Sequence, residues 1–138
     1  MESIYIQQRE AIATILQQAR TGILQLKEWT ADVPDIKALP LTMQGSQDLA
    51  GDCMLLQAIC ESIKQVNKRS STLLSYRSEI PWRHVMSMRD RVAHGYFEID
   101  IDYVDEIIRN DLDPLLAAIE ALIAMLPDLS DEALFESR

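Results

Sequence analysis

Apolar residues recur along this chain at steps of three and four, the repeat that gathers them on one face of a helix with 3.6 residues per turn. In the opening segment Ile4, Ala11, Ile12, Ile15, Leu16, Ala19, Ile23 and Leu26 keep that step, which predicts one long amphipathic helix over residues 3–29. Gly22 lies inside it and weakens it slightly. Over residues 30–46 the pattern fails, and Pro34, Pro40 and Gly45 punctuate a connector with room for about one helical turn. A second long helix is expected over 47–68, with Ser46 as its N-cap. Its stripe of Leu49, Cys53, Leu56, Cys60 and Ile63 alternates steps of four and three, the seam of a helix packed nearly parallel to its neighbours.

Residues 70–80 are polar around Leu73 and Leu74 and end at Pro81, which suits the first position of a helix because its missing N–H would be unpaired there anyway. That third helix is expected over 81–94, stopping at Gly95 in the left-handed C′ conformation. From Asp100 onward, Val104, Ile108, Leu115, Ile119, Leu122 and Leu126 form the inner face of a last long element, which Pro114 should kink or split in two. Pro127 ends it, and Ser130 can cap a short tail helix through Glu136. No segment alternates as a strand does, and no internal repeat is visible. Four to five main helices with short connections predict an all-α fold, an antiparallel helical bundle over 1–127 followed by a short C-terminal tail over 128–138.

Composition agrees with one soluble domain: 48% of the 138 residues are apolar and 25% charged, enough to bury a core without staples. Met1-Glu2-Ser3-Ile4-Tyr5 shows neither a basic nor an apolar leader region, and no apolar run approaches the roughly 20 residues of a membrane span, so a cytoplasmic protein is expected. Cys53 and Cys60 would stand roughly 10 Å apart along one helix, beyond the reach of a disulfide, and share the apolar stripe as buried structural thiols. The net charge of −9 argues against coating nucleic acid by bulk electrostatics. Its distribution is uneven, however. Lys64, Lys68, Arg69, Arg77, Arg83, Arg89 and Arg91 face only Glu79 and Asp90, whereas Glu98, Asp100, Asp102, Asp105, Glu106, Asp111 and Asp113 follow with Arg109 alone among them. A local anion site on an acidic body and two solvated helix faces both account for this.

Chemistry concentrates in Met88-Arg89-Asp90-Arg91-Val92-Ala93-His94-Gly95-Tyr96. Asp90 and His94, four apart, would share a helix face, so Asp90 can orient the imidazole and raise its proton affinity. Arg89 stands five residues before His94 and well around a straight helix from it. The two converge only if the last turn is distorted, or if a second copy in a two-fold dimer completes the site. Two arginines and two histidines across one cleft would suit a phosphodiester. The same pairing occurs in helices that do nothing, and R-x4-H spacing is a weak signal by itself. Arg83 and Arg91 are further basic groups able to meet RNA. Trp82, just after Pro81, is expected as a core anchor more than a base-stacking ring, and Glu61 either reaches the cleft or a neighbouring arginine, or sits on a solvated face. His84 and His94 lack metal-ligand spacing.

Taken with Glu79-Ile80-Pro81-Trp82-Arg83, the stretch running on to Phe97 resembles the signature of the HepT family of the HEPN superfamily, whose hallmark R-x4-6-H takes the form R-x4-H-x-Y there. Ile59-Cys60-Glu61-Ser62 falls where that family tends to carry a glycine–glutamate–alanine segment, and Asp111-Leu112-Asp113-Pro114-Leu115-Leu116 is similar to its acidic, proline-containing last helix. The resemblance covers roughly residues 3–126. Cys60 and Ser62 replace the usual small residues, and Asp90 stands where asparagine is also common. The resemblance implies a HEPN-like bundle that dimerises around the motif helix. It also implies a toxin of a bacterial or archaeal toxin–antitoxin module, acting as a metal-independent endoribonuclease with no cofactor. His94 would be the general acid/base for attack of a ribose 2′-hydroxyl on the adjacent phosphate, Arg89 would stabilise the phosphoryl oxygens, and Asp90 would orient His94. Tyr96 would be the residue to which a nucleotidyltransferase antitoxin transfers AMP. Partners would then be RNA, that antitoxin and a second copy, without membrane or DNA. Two other functions compete: a non-catalytic helical subunit that docks a minimal nucleotidyltransferase, and a plain oligomerisation bundle.

Overall fold

The computed structural model describes residues 2–136, and its long elements are all helical. Helix α1 (Glu2–Thr30) and helix α2 (Met43–Arg69) run antiparallel. Gly22 of α1 lies against Leu55 and Ile59 of α2, while at the far end Arg69 donates to Gln8 Oε1 at 2.9 Å. Helix α5 (Leu112–Met125) lies antiparallel to α1, tied by Arg20 to Glu120 at 2.9 Å and by a Lys27–Asp113 pair. Helix α3 (Trp82–Val92) packs on α2, and helix α4 (Ile101–Asn110) connects α3 to α5. The stripes meet in one core: Leu16, Ile23, Leu26, Leu56, Ile63, Ile119 and Leu122 are all buried. This is the expected all-α antiparallel bundle, and no helix among the described residues is long and apolar enough to cross a membrane.

Helix α2 begins four residues before its expected start. Thr42, not Ser46, is the N-cap, its hydroxyl accepting from the Gly45 N–H at 2.9 Å. The cause is a 3-10 turn over Ile36–Leu41 that packs onto the first turn of α2 so closely that a Cβ at position 45 would lie 2.0 Å from the Leu39 carbonyl oxygen. Gly45 is thus a residue of the helix, where backbone meets backbone, and not connector punctuation.

The last long element splits between α4 and α5. Asp111 takes the break, and Pro114 falls in the first turn of α5, where no N–H is required of it. Beyond a short 3-10 turn at Leu126–Asp128, the Ser130 hydroxyl caps helix α6 (Asp131–Phe135) by accepting from the Ala133 N–H at 3.0 Å. The tail folds back on the bundle. Leu134 is 1% exposed, the Ser70 hydroxyl donates to its carbonyl at 2.6 Å, and the rings of Tyr5 and Phe135 stack 5.0 Å apart. Residues 137 and 138 of the expected tail lie outside the described residues. Cys53 and Cys60 are free and buried, and burial pushes their thiols up to about 11 and about 12.

Candidate functional site

Trp82 opens α3 as a core anchor, 8% exposed, its indole N–H donating to the Arg77 carbonyl at 2.9 Å. The end of α3 departs from the sequence pattern. The helix stops at Val92, two residues short of His94, and Gly95 has no positive φ. Ala93 is extended (φ −164°, ψ 140°) and forms an isolated antiparallel bridge with Ile99. Between them the chain turns tightly, His94 N–H donating to Glu98 O at 3.3 Å and Glu98 N–H to Gly95 O at 3.1 Å.

What replaces the expected glycine cap is a tertiary one. The Gln57 amide of α2 donates to the carbonyls of Arg89 (3.2 Å) and Ala93 (3.3 Å), and Asp100 N–H takes the Val92 carbonyl at 2.9 Å. These bonds satisfy orphan carbonyls that a Schellman turn would otherwise have to serve.

The unwound end settles how the motif residues lie. His94 is on the loop, so the four-residue spacing no longer places it on the helical face of Asp90, and no hydrogen bond or ion pair joins the two among the described residues. Yet Arg89, Asp90, His94 and Tyr96 open onto one cleft of about 470 Å³, walled on the α2 side by Cys53, Met54 and Gln57. Arg89 and His94 therefore share an opening within a single chain, through the distorted last turn.

The Arg89 guanidinium is held by Glu61 at 2.9 Å, and Glu61 in turn accepts from the Gln65 amide at 2.8 Å. The Gln65 hydrogen bond above all, joined by the charges of Arg89, Lys64 and Lys68, holds the Glu61 carboxyl below the usual carboxylate range, against an opposing effect of burial that outweighs any one of those charges. With side chains 53% and 37% exposed, this pair adds little to stability and mainly fixes where the guanidinium sits.

The other two arginines do not join the cleft. Two residues along a helix is about 200° of rotation, and Arg91 accordingly lies on the far side of α3, its guanidinium 3.9 Å over the Tyr103 ring. Tyr103 bonds through its hydroxyl to His84 Nε2 at 3.2 Å, and all three border a separate cavity of about 380 Å³ beneath α3, α4 and α5. Arg83 is exposed and lines neither space. The basic cluster of the sequence thus resolves into one arginine at the cleft, one turned away and one on the open surface. Gln57 carries no signal in the local pattern, because the carbonyls it caps are 32 and 36 residues away.

A guanidinium already aimed by a carboxylate, with an imidazole, a second carboxylate and a phenol around one open cleft, can grip a phosphodiester and move protons beside it. A helical bundle that offers R-x4-H-x-Y from the unwound end of one helix is of the HEPN class. The profile of a family described as Ribonuclease HepT-like matches residues 43–122, more than half of the chain and the whole cleft, so the chain belongs to that family. A protein of Thermococcus cleftensis named "Probable ribonuclease HepT" is 36% identical over 44 residues, a stretch covering 32% of this chain and 40% of that protein's own length. No solved structure matches the chain.

Proposed function

We propose that this protein is a metal-independent endoribonuclease, the toxin of a bacterial or archaeal toxin–antitoxin module, acting in the cytoplasm. The observation that carries this is the shared cleft of His94 and a pre-aimed Arg89. In the reaction His94 takes the proton of a ribose 2′-hydroxyl. The 2′ oxygen attacks the adjacent phosphorus, the P–O5′ bond breaks, and the proton passes to the departing 5′ oxygen, leaving a 2′,3′-cyclic phosphate. Arg89 hydrogen-bonds the non-bridging oxygens as charge builds on them. Asp90 lines the same cleft and is the carboxylate placed to orient the imidazole once substrate is bound. Arg83 and Arg91, both exposed but outside the cleft, would meet RNA only beyond it, Arg91 from its place over the Tyr103 ring.

A homodimer facing cleft to cleft, as the family resemblance implies, would cover Met54, 75% exposed on the α2 wall. Tyr96, 57% exposed at the same opening, is open to AMP transfer by a nucleotidyltransferase antitoxin, and an adenylate there would put negative charge where the RNA phosphate must sit. The same exposed phenol also favours a second function, a non-catalytic subunit that docks such a nucleotidyltransferase.

Purified, partner-free protein should cut total cellular RNA in EDTA into discrete products ending in cyclic phosphate. Arg89→Ala and His94→Ala should each lose at least about 100-fold in rate while circular dichroism remains unchanged. Cleavage by His94→Ala at the parent rate would refute the mechanism. Folded, unmodified parent that leaves RNA intact and binds a nucleotidyltransferase would establish the docking function instead.

A further inference from the structure

We infer that the loop after His94 is a nucleobase platform, on which Phe97 stacks an unpaired base next to the phosphate gripped in the cleft; this rests on the ribonuclease function proposed above. Phe97 is 94% exposed, and its ring packs edge to face with that of Tyr96, with centroids 4.9 Å apart and planes at 73°. Tyr96 and Ile99 are shared walls of two neighbouring spaces. On one side is the cleft with Arg89 and His94; on the other is a groove of about 340 Å³ lined by Pro40, Ser46, Leu49, Phe97, Ile99 and Ile101. None of those side chains is charged. A phosphate entering the groove would find no cationic side chain, whereas the flat face of a base would find an aromatic ring and largely apolar walls.

Electrostatics points the same way. The protein carries −9, Asp90 lines the cleft, and the one arginine there is already paired to Glu61. Neutralising phosphates therefore cannot supply most of the affinity for RNA, and base contacts must. The loop is also prepared for the task. The Ala93–Ile99 bridge and the His94–Glu98 and Glu98–Gly95 bonds fix its backbone, so little order remains to be imposed on binding. A base held on Phe97 has to be out of its helix, which makes the substrate class an unpaired segment such as a loop or single-stranded end.

The test is a fluorescence-anisotropy titration of the full chain with a mixed-sequence 2′-O-methyl RNA of about 12 nucleotides, which has no 2′-hydroxyl to attack, beside an abasic strand of the same length. Phe97→Ala should bind the RNA about 10-fold more weakly and Phe97→Trp about as well as the parent, since removal of a stacking ring costs roughly 5- to 150-fold per base. The abasic strand should bind at least about 10-fold more weakly than the RNA, and added salt should weaken binding only slightly. Equal binding by Phe97→Ala, equal binding of the abasic strand, or no binding by the parent overturns the platform. So does sedimentation showing that Phe97→Ala breaks a dimer, because the ring is then covered by a second copy. The two proposals fail separately. Base-dependent binding without cleavage keeps the platform and removes the nuclease. Cleavage whose KM ignores Phe97→Ala keeps the nuclease and removes the platform.

Discussion

Glu61 and Asp52 show how differently two carboxylates on one helix can be used. Glu61 stands at the surface, where its charge is cheap, and spends it on holding Arg89. Glu61→Ala should therefore change unfolding free energy by no more than about 1 kcal/mol. It should lower RNA cleavage about 10-fold, because the guanidinium loses its fixed position. Comparing urea denaturation with single-turnover cleavage separates the two effects, and equal activity in the variant would show that Arg89 aims itself. Asp52 is 3% exposed, and burial followed by repulsion from Asp48 pushes it up to about 6. The folded chain thus holds this proton more tightly than the unfolded chain, whose value is near 3.8. Stability falls as pH rises from about 4 to 6 and stays reduced above that. Asp52→Asn removes the penalty, so it should stabilise the protein at pH 8 by on the order of 1 kcal/mol, with the gain shrinking as pH is lowered through 6 towards 4. A variant less stable at pH 8 would mean that the carboxylate is held by a favourable contact.

At the scale of elements, glycines mark where helices meet. A Cβ at Gly45 would come 2.0 Å from a backbone oxygen that has nowhere to go, so Gly45→Ala should destabilise by at least about 2 kcal/mol. At Gly22 the obstacle is the Ile59 side chain at 3.0 Å, which can shift. Gly22→Ala gains up to about 1 kcal/mol of helix propensity against that crowding and should end within about 1 kcal/mol of neutral in thermal unfolding. The sequence pattern read these elements well where a helix is specified by its own apolar stripe. Helix α1, expected over 3–29, is Glu2–Thr30, and the Ser130 cap falls where a local rule puts it. It misread them where a neighbour decides. Ser46 is by chemistry at least as good a cap as Thr42, yet the 3-10 turn packed at Gly45 selects Thr42. The end of α3 was hidden for the same reason: Gly95 offers a local stop, but Gln57 from another helix and the Ala93–Ile99 bridge impose an earlier one. That Arg89, Asp90, His94 and Tyr96 lie close together was legible in the sequence, though the shape of the cleft they share was not. The direction of Arg91 was within reach, since a two-residue step on a helix already turns it away from Arg89.

For the whole molecule, the question is whether the tail and the cleft are one cooperative structure. Leu134 is 1% exposed, and Ser70 and Thr72 at the far end of α2 hold the carbonyls of Leu134 and Ala133 at 2.6 and 2.7 Å. The tail is therefore part of the core of this bundle, although it lies beyond the stretch where the HepT-like profile matches. From Gln57 at the cleft to Ser70 is 13 residues, roughly 20 Å along α2, too far for direct contact between tail and site. Leu134→Ala should then lower global stability by about 2–4 kcal/mol through its cavity and leave the single-turnover cleavage rate of still-folded protein unchanged. Urea denaturation and cleavage at a temperature well below the unfolding midpoint test the two halves together. If the rate falls with stability, α2 transmits strain from the tail to Gln57, and through its two hydrogen bonds to the backbone that carries Arg89.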